Sequence, residues 1–555
     1  MTPFTPPHTD GCPARPAGDP LQLAQGLADA AVPGLADLAA VELSDTVRCG
    51  ERAWHGAQSA RPTLRRAAFR SVHCRGCRPA YAVGDASRLP AKTPYRKCVK
   101  DLRPRIVRDL GSQPRWLARD PDRARRIEEA GLRCMMVVPL TVQGLVLGLA
   151  TFYRRAGTPP FREDDLRAAT ELAERTARGL DLMRRRIEWE DAGRELQRSL
   201  LPEEMPSVTA APAIGGQVSS GGSAGAWFDA IRLPGARLAL VVGVAGDEGL
   251  GAAARMGWLR AVIGALARLD MAPSELLARV NGIAADSPSP PSPQGCSTAA
   301  DDEPAGAGDH CLFLVYDPVN GRCTVSRAGN VCLQVVTAQG RVSTPYLPEH
   351  RPLGSSDELF EEWEFQVHPD SVLLLGSSGE APEPAPETRF GPTSRAVPSW
   401  SGHPVQAVLD DYARVLLPDH CQALLAARTR ALDSQDIASL RLPHDLAAVV
   451  VARAWTRRQL QAWDLDGLDF STTLLASELV TNAIRYSTGP VELRLIRDRA
   501  LVCEVSDTSS AAPHPRHPKA GDQGGRGLLI VTEIAEAVGT RYTSQGKIVW
   551  AEQAL

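Results

Sequence analysis

The chain has 555 residues, 43% apolar and 23% charged, and its 62 basic and 65 acidic side chains leave a net charge of -3. This length predicts three or four domains, the composition is that of an ordinary globular protein, and the near-balance of charge gives no attraction towards nucleic acid or an anionic membrane. No apolar run reaches the roughly 18 to 20 residues of a bilayer span, and the amino terminus MTPFTPPHTDGCP has neither a basic start nor an apolar centre, so no signal peptide and a cytoplasmic location are expected.

Residues 1–20 are rich in Pro, Gly and Thr and are expected to be disordered. A first α+β unit is read over 21–182. It has a helix-like stretch from Leu21 and a strand over Leu38 to Leu43. A hairpin follows, Cys134 to Leu140 and Leu145 to Tyr153 about a Gln143-Gly144 turn, and then a helix from Glu163. The twelve cysteines are scattered and are expected to be reduced and buried. The one cluster, His73-Cys74-Arg75-Gly76-Cys77, offers too few ligands for a zinc site. Leu172, Thr176, Leu180, Met183 and Ile187 recur at spacings of three and four with charges between them. This stripe leads into a helical connector over 183–202. It either packs on its own domain or pairs two chains into a homodimer through the 166–200 helix.

A second domain is read over 203–436. Its strands include Arg237 to Val244, Cys311 to Tyr316, Arg322 to Ser326, Leu333 to Thr337 and Ser371 to Leu375, with a helix from Gly249 to Leu269. Asp317-Pro318-Val319-Asn320-Gly321 is a turn. The stretch 285–309, rich in Pro, Ser, Ala and acids, cannot build a core and is a flexible insertion. The last domain covers 437–555. It has helices over Asp445 to Trp463, Asp469 to Tyr486 and Arg526 to Val538, strands over Val491 to Ile496 and Ala500 to Ser506, and a closing hairpin ending at Ile548 to Glu552. Helices on one face of an antiparallel sheet is the architecture implied.

Three features of this last domain belong together. Glu478 and Asn482 stand four apart on one helix and share a face. An asparagine oxygen can ligate Mg²⁺ and a carboxylate can orient a nucleophile. Asp507 ends the strand Glu504-Val505-Ser506-Asp507, where a carboxylate can accept a hydrogen bond from an adenine amino group. Asp522-Gln523-Gly524-Gly525-Arg526-Gly527 runs into a helix, where glycines admit phosphates to free N–H groups. A polar lid, Ser509 to Gly525, separates the second feature from the third.

The constellation resembles the GHKL (Bergerat) ATPase fold of histidine kinases, gyrase and RsbW-like anti-sigma serine kinases. By that resemblance Asn482 holds Mg²⁺, Glu478 is the catalytic base, Asp507 reads adenine, and Gly524, Gly525 and Gly527 form the phosphate loop. Gly546-Lys547-Ile548-Val549-Trp550 matches the closing strand of the RsbW-like subgroup. No histidine helix precedes the domain, which favours transfer of phosphate directly to a partner's Ser or Thr.

The second domain resembles the SpoIIE/RsbU branch of PPM-type phosphatases, through Leu196 to Pro202, Trp227-Phe228-Asp229, Leu238 to Gly243, Val315-Tyr316-Asp317 and Ala328-Gly329. Those enzymes hold two Mn²⁺ or Mg²⁺ ions between aspartates. Here the aspartate before Trp227 is Ala226, the Val-Gly-Asp motif is Val242-Gly243-Val244, the late Tyr-Thr-Asp-Gly is Gly376-Ser377-Ser378-Gly379, and the final acidic pair falls near His420-Cys421. Asp229 persists as a residual metal ligand, and Asp247, Glu248 or Asp419 could restore one more. Each carboxylate is worth about 4 kcal/mol per unit charge at about 4 Å and an effective dielectric of 20, doubled for a dication. Their loss predicts a pseudophosphatase. Residues 21–182 resemble a GAF domain, chiefly over Gly131 to Tyr153 and the helix that follows.

The expected fold is therefore an α+β multidomain chain: GAF-like α+β, PPM-type α/β sandwich, and GHKL α/β sandwich. The expected function is an ATP-dependent Ser/Thr kinase and anti-sigma module in a cytoplasmic partner-switching regulator. Its expected partner is a STAS-type anti-sigma factor antagonist or a sigma factor. Two other readings stay open: an active metal-dependent phosphatase, and a scaffold that binds ATP and its partner without catalysis.

Overall fold

The computed structural model describes residues 19–45, 47, 64–72, 81–87, 89–112, 115–206, 208–219, 224–286, 308–355, 359–378, 421–510, 527–543 and 545–555. The Cys74/Cys77 cluster, most of the 1–20 and 285–309 segments, Asp419, His420, most of the lid, Gly524 and Gly525 lie outside them. The chain divides into two compact units, 1–189 and 190–555.

In the first unit α1 (Pro20–Ala31) opens on Asp19, whose carboxylate caps the Leu21 N–H, with Pro20 at the first helical position. Strands β1 (Leu38–Ser44), β2 (Leu64–Ser71) and β3 (Ala86–Ser87) follow, then α2 (Pro94–Asp101), β4 (Arg105–Val107) and α3 (Pro121–Glu129). The long hairpin β5 (Leu132–Val142) and β6 (Leu145–Arg155) comes next. Its turn sits at Gln143 and Gly144, both at positive φ. All six strands form one antiparallel sheet in the order β3-β2-β1-β6-β5-β4. One face buries Val41, Met136, Val138 and Phe152 beneath α1 and the start of α4 (Glu163–Leu200). On α4, Ala169, Ala173, Ala177 and Leu180 belong to this core and Leu172 packs against it, so the first half of the sequence stripe serves its own domain. The other face buries Leu132, Met135 and Tyr153 against Tyr95 and Cys98 of α2 and Ile127 of α3.

The second unit begins within α4. Its phosphatase-like part is a sandwich of two antiparallel five-stranded sheets. The strands in chain order are β7 (Ala213–Val218), β8 (Ala226–Arg232), β9 (Leu238–Val244), β10 (His310–Asp317), β11 (Arg322–Ala328), β12 (Val331–Val336), β13 (Val342–Ser343), β14 (Trp363–Gln366), β15 (Val372–Ser378) and β16 (Cys421–Arg428). One sheet runs β14-β11-β10-β9-β8 and the other β13-β12-β15-β16-β7. Alternation along each strand sends Phe228, Leu240, Val242, Leu312 and Leu314 into the layer between the sheets, where they meet Leu333, Leu373, Leu375 and Leu425. The odd-numbered side chains Trp227, Ala239, Val241, Cys311 and Phe313 face α5 (Gly249–Ala267) and α6 (Pro273–Asp286) instead. Among the described residues α5 is the one helix long and apolar enough to cross a membrane by length and composition, which the search for an unbroken apolar run passed over; one third of it is buried in this unit.

The last part is an antiparallel sheet in the order β17-β18-β19-β21-β20: β17 (Ile437–Leu442), β18 (Val491–Arg497), β19 (Ala500–Asp507), β20 (Ala537–Thr543) and β21 (Gly546–Ala554). Helices α7 (Ala448–Ala462), α8 (Asp469–Tyr486) and α9 (Gly527–Ile534) cover one face, burying Leu475, Leu479, Val480, Leu493, Cys503, Val505, Val531 and Ala551. The helix expected to run to Val538 ends at Ile534, and Ala537 already pairs with Glu552 in β20. Gly539 there lies against the Trp550 indole, with no room for a Cβ. That close approach of β20 and β21 draws the segment into the sheet.

The sheet's other face rests on the phosphatase-like part. Trp550, Ile496, Val502 and Leu432 bury together there, with Ala236 and Val319 beside them. The charges in this seam are shared. Arg541 lies 3.2 Å from Glu504 and 3.5 Å from Asp270, Arg237 also pairs with Asp270, and the Gly235 N–H donates to Glu552 at 3.3 Å. Burial disfavours the Arg541 charge, but Glu504 and Asp270 outweigh it and hold its pKa above the ordinary value.

Candidate nucleotide site

α8 supplies the first group of the site. Its buried side carries Thr473, Ser477 and Thr481. The Ser477 and Thr481 hydroxyls donate to carbonyls four residues back, at 2.7 and 2.6 Å, so these polar groups cost the helix nothing unsatisfied. Glu478 and Asn482 are half-buried. Neither makes a hydrogen bond or ion pair among the described residues, so both retain their capacity for a ligand. α8 packs against β19 and α9, which brings together the elements bearing Asn482, Asp507 and Gly527, the first residue of α9.

Asp507 closes β19. Its Oδ1 accepts the Ser509 N–H at 2.7 Å and lies 3.2 Å from Lys547 Nζ. Asp507 and Lys547 are direct partners across β19 and β21. Gly546, at φ +146°, lets β21 begin hard against the Asp507–Thr508 backbone, where a Cβ would collide with the Asp507 carbonyl. Gly489 likewise packs on the Thr508 side chain. Lys547 has no role in the sequence reading. Its signal, a lysine opening an alternating strand, says nothing until the register sets it opposite Asp507.

The phosphatase-like sandwich answers differently. Ala226 and Val244 are cross-strand partners at the end of β8 and β9. Both are buried in the apolar layer between the sheets, and Ser377 on the facing sheet donates to the Gly243 carbonyl at 3.3 Å. Asp229 is three residues from Ala226, so it points to the opposite side of β8. There Arg260 Nε holds it at 2.6 Å. The structure thus does not bring Asp229 together with the Ala226 and Val244 positions. Asp247 lies just beyond β9, its pKa raised by burial and by the Asp309 charge. Asp309 itself is taken by Arg255 at 2.9 Å and by the Gly246 N–H at 3.2 Å. Among the described residues no three His, Cys, Asp or Glu side chains are grouped to hold a metal. Among the described residues no carboxylates are thus grouped as a paired metal centre would need, and Asp229 and Asp309 are each paired with an arginine.

In the first unit the helix-covered face of the sheet is closed by a charge-balanced cluster. Arg66 and Arg123 reach Glu42 at 2.8 and 3.8 Å, and Arg123 reaches Asp120 at 3.3 Å. The Arg123 guanidinium also stacks 4.1 Å from the centre of the Tyr95 ring. Tyr95 and Tyr153 share a hydrogen bond of 3.0 Å, and burial pushes the Tyr153 hydroxyl well above the usual pKa.

Three α+β assemblies, a six-stranded sheet, a two-sheet sandwich and a helix-covered five-stranded sheet, define a mixed multidomain protein. Family matches give each its place: GAF domain over residues 22–180, Stage II sporulation protein E (SpoIIE) over 234–430, and Histidine kinase-like ATPase domain over 442–552. The chain thus matches these three domain models in this order, an architecture that fits a partner-switching regulator. The two later domain types imply ATP binding and metal dependence in general. A comparison with curated proteins gave no match. Similar solved structures include the RsbU and RsbW domains of Rv1364c from Mycobacterium tuberculosis, at 19% identity over 63% of this chain and 95% of that one, with a TM-score of 0.31. RsbX in complex with magnesium is 13% identical over 39% and 94%, with a TM-score of 0.28. The GAF-B domain of DevS from Mycobacterium smegmatis is 19% identical over 30% and 94%, with a TM-score of 0.21.

Proposed function

We propose that the C-terminal domain is an ATP-dependent protein Ser/Thr kinase of the anti-sigma type, and that the sandwich beside it is a pseudophosphatase. The observation that carries the first part is the convergence of α8, the end of β19 and the start of α9, with Glu478 and Asn482 unpaired among the described residues and Asp507 anchored. In this reading Asn482 holds Mg²⁺, Asp507 accepts from the adenine amino group, and Gly524, Gly525 and Gly527 admit the phosphates. Mg-ATP supplies the phosphoryl group. Glu478 takes the proton of a partner's Ser or Thr hydroxyl as its oxygen attacks the γ-phosphorus and the bond to ADP breaks. The partner is a STAS-type anti-sigma factor antagonist, with a sigma factor bound in the alternative state. A second copy of the chain, paired through α4, belongs to the same proposal.

Ala226 and Val244 carry the second part. A metal pair would need carboxylates where the chain has packed methyl groups, and the cation already present is Arg255. The test is a radiolabelled phosphate-transfer assay on the full chain with candidate antagonists, alongside Mn²⁺-dependent turnover of a phosphoserine peptide. Transfer lost in Glu478→Ala and no turnover with Mn²⁺ are expected. ATP binding without transfer to any antagonist would leave a scaffold. Turnover lost in Asp229→Ala would restore an active phosphatase.

A further inference from the structure

The Lys547–Asp507 pair does more than close a strand. The ammonium and carboxylate side chains are 5% and 2% exposed, so the pair has left bulk water at some cost in solvation. Two donors converge on a single oxygen: Lys547 Nζ and the Ser509 N–H both meet Oδ1. Among the described residues no donor is assigned to Oδ2. The geometry is stiff, because Gly546 seats the start of β21 directly on the Asp507–Thr508 backbone and Lys547 is the next residue.

We propose that Lys547 is a positioning residue that sets the base selectivity of the nucleotide site. It fixes the rotation of the Asp507 carboxylate through Oδ1 and so presents Oδ2 at one angle as a hydrogen-bond acceptor. A purine bearing an amino group at C6 can donate to that oxygen. A purine with an oxo group there brings two acceptors face to face, and a site built for one polar group rejects its mismatch strongly. Without Lys547 the carboxylate is free to rotate about its Cβ–Cγ bond. Its acceptor is then no longer held at one angle to the base edge, and the preference between the two bases shrinks. This inference rests on Asp507 being the base-reading group.

The experiment compares binding of Mg-ATP and Mg-ITP, which differ in the C6 group and in the proton that N1 carries in ITP, to the full chain by calorimetry. Wild type is expected to favour ATP by about 100-fold or more. Lys547→Met and Lys547→Gln are expected to shrink the ratio to about fivefold or less, and Lys547→Arg to recover most of it. A purely structural lysine would weaken both nucleotides equally and leave the ratio unchanged. An unchanged ratio in either neutral variant overturns the proposal, as does a wild-type ratio near one, which needs no variant to fold. Wild-type protein that binds neither nucleotide refutes the reading of the site itself, a result distinct from tight binding without selectivity.

Discussion

Replacing Arg541 with alanine tests the seam between the ATPase sheet and the sandwich. In the wild type its guanidinium is shared between Glu504, whose side chain is 4% exposed, and Asp270, at 1%. Removing one member of a buried pair costs about 3 to 5 kcal/mol, because the partner stays buried and unpaired. Here each carboxylate keeps a second arginine, Arg494 at 3.7 Å from Glu504 and Arg237 on Asp270. The low end, about 3 kcal/mol, is therefore expected. With a urea slope of about 3 kcal/mol/M, the unfolding midpoint of the second unit should fall by about 1 M. The double variant Arg541→Ala/Glu504→Gln should cost less than the sum of its parts by more than about 1 kcal/mol. A midpoint moved by under about 0.3 M, or additive single effects, would show that the seam's charges are solvated and the reasoning wrong.

Other outcomes follow from the same geometry. Burial raises the Glu552 pKa above its ordinary 4.5. A carboxyl raised on folding contributes stability below 4.5 that is lost as pH climbs through the folded value; Glu552→Gln should thus raise the melting temperature at pH 7, with the gain fading below pH 4.5. Glu42→Gln leaves Arg66 without the carboxylate it pairs with and Arg123 with Asp120 alone, and should destabilise the first unit by about 3 kcal/mol, read by chemical denaturation. Asn482→Ala should abolish Mg-ATP binding in calorimetry while leaving the melting temperature of the ligand-free chain unchanged, since the side chain has no partner to lose among the described residues.

Much of this was readable in the residues because periodicity and turn chemistry agreed. The α8 face pairing Glu478 with Asn482, the Gln143-Gly144 turn and the buried alternation of β9 and β10 needed no tertiary information. Other features depended on it. Ala535 to Val538 continue an apolar pattern that suits helix or strand, and the Trp550 indole across from Gly539 decides for strand. Asp229 occupies a ligand position of the phosphatase motif, and its odd spacing from Ala226 places it on the other side of β8. The roles of Arg255 and Lys547 rest on partners 54 and 40 residues away in the chain, which no local pattern discloses.

Strand β19 has two tenants. Glu504 looks out to the sandwich and Asp507 looks in towards the helices, three residues or about 10 Å apart on one rigid backbone. β21 repeats the arrangement, with Trp550 behind and Lys547 in front. A small rotation of the sandwich against the sheet would thus be delivered to the Asp507 carboxylate through two paired strands.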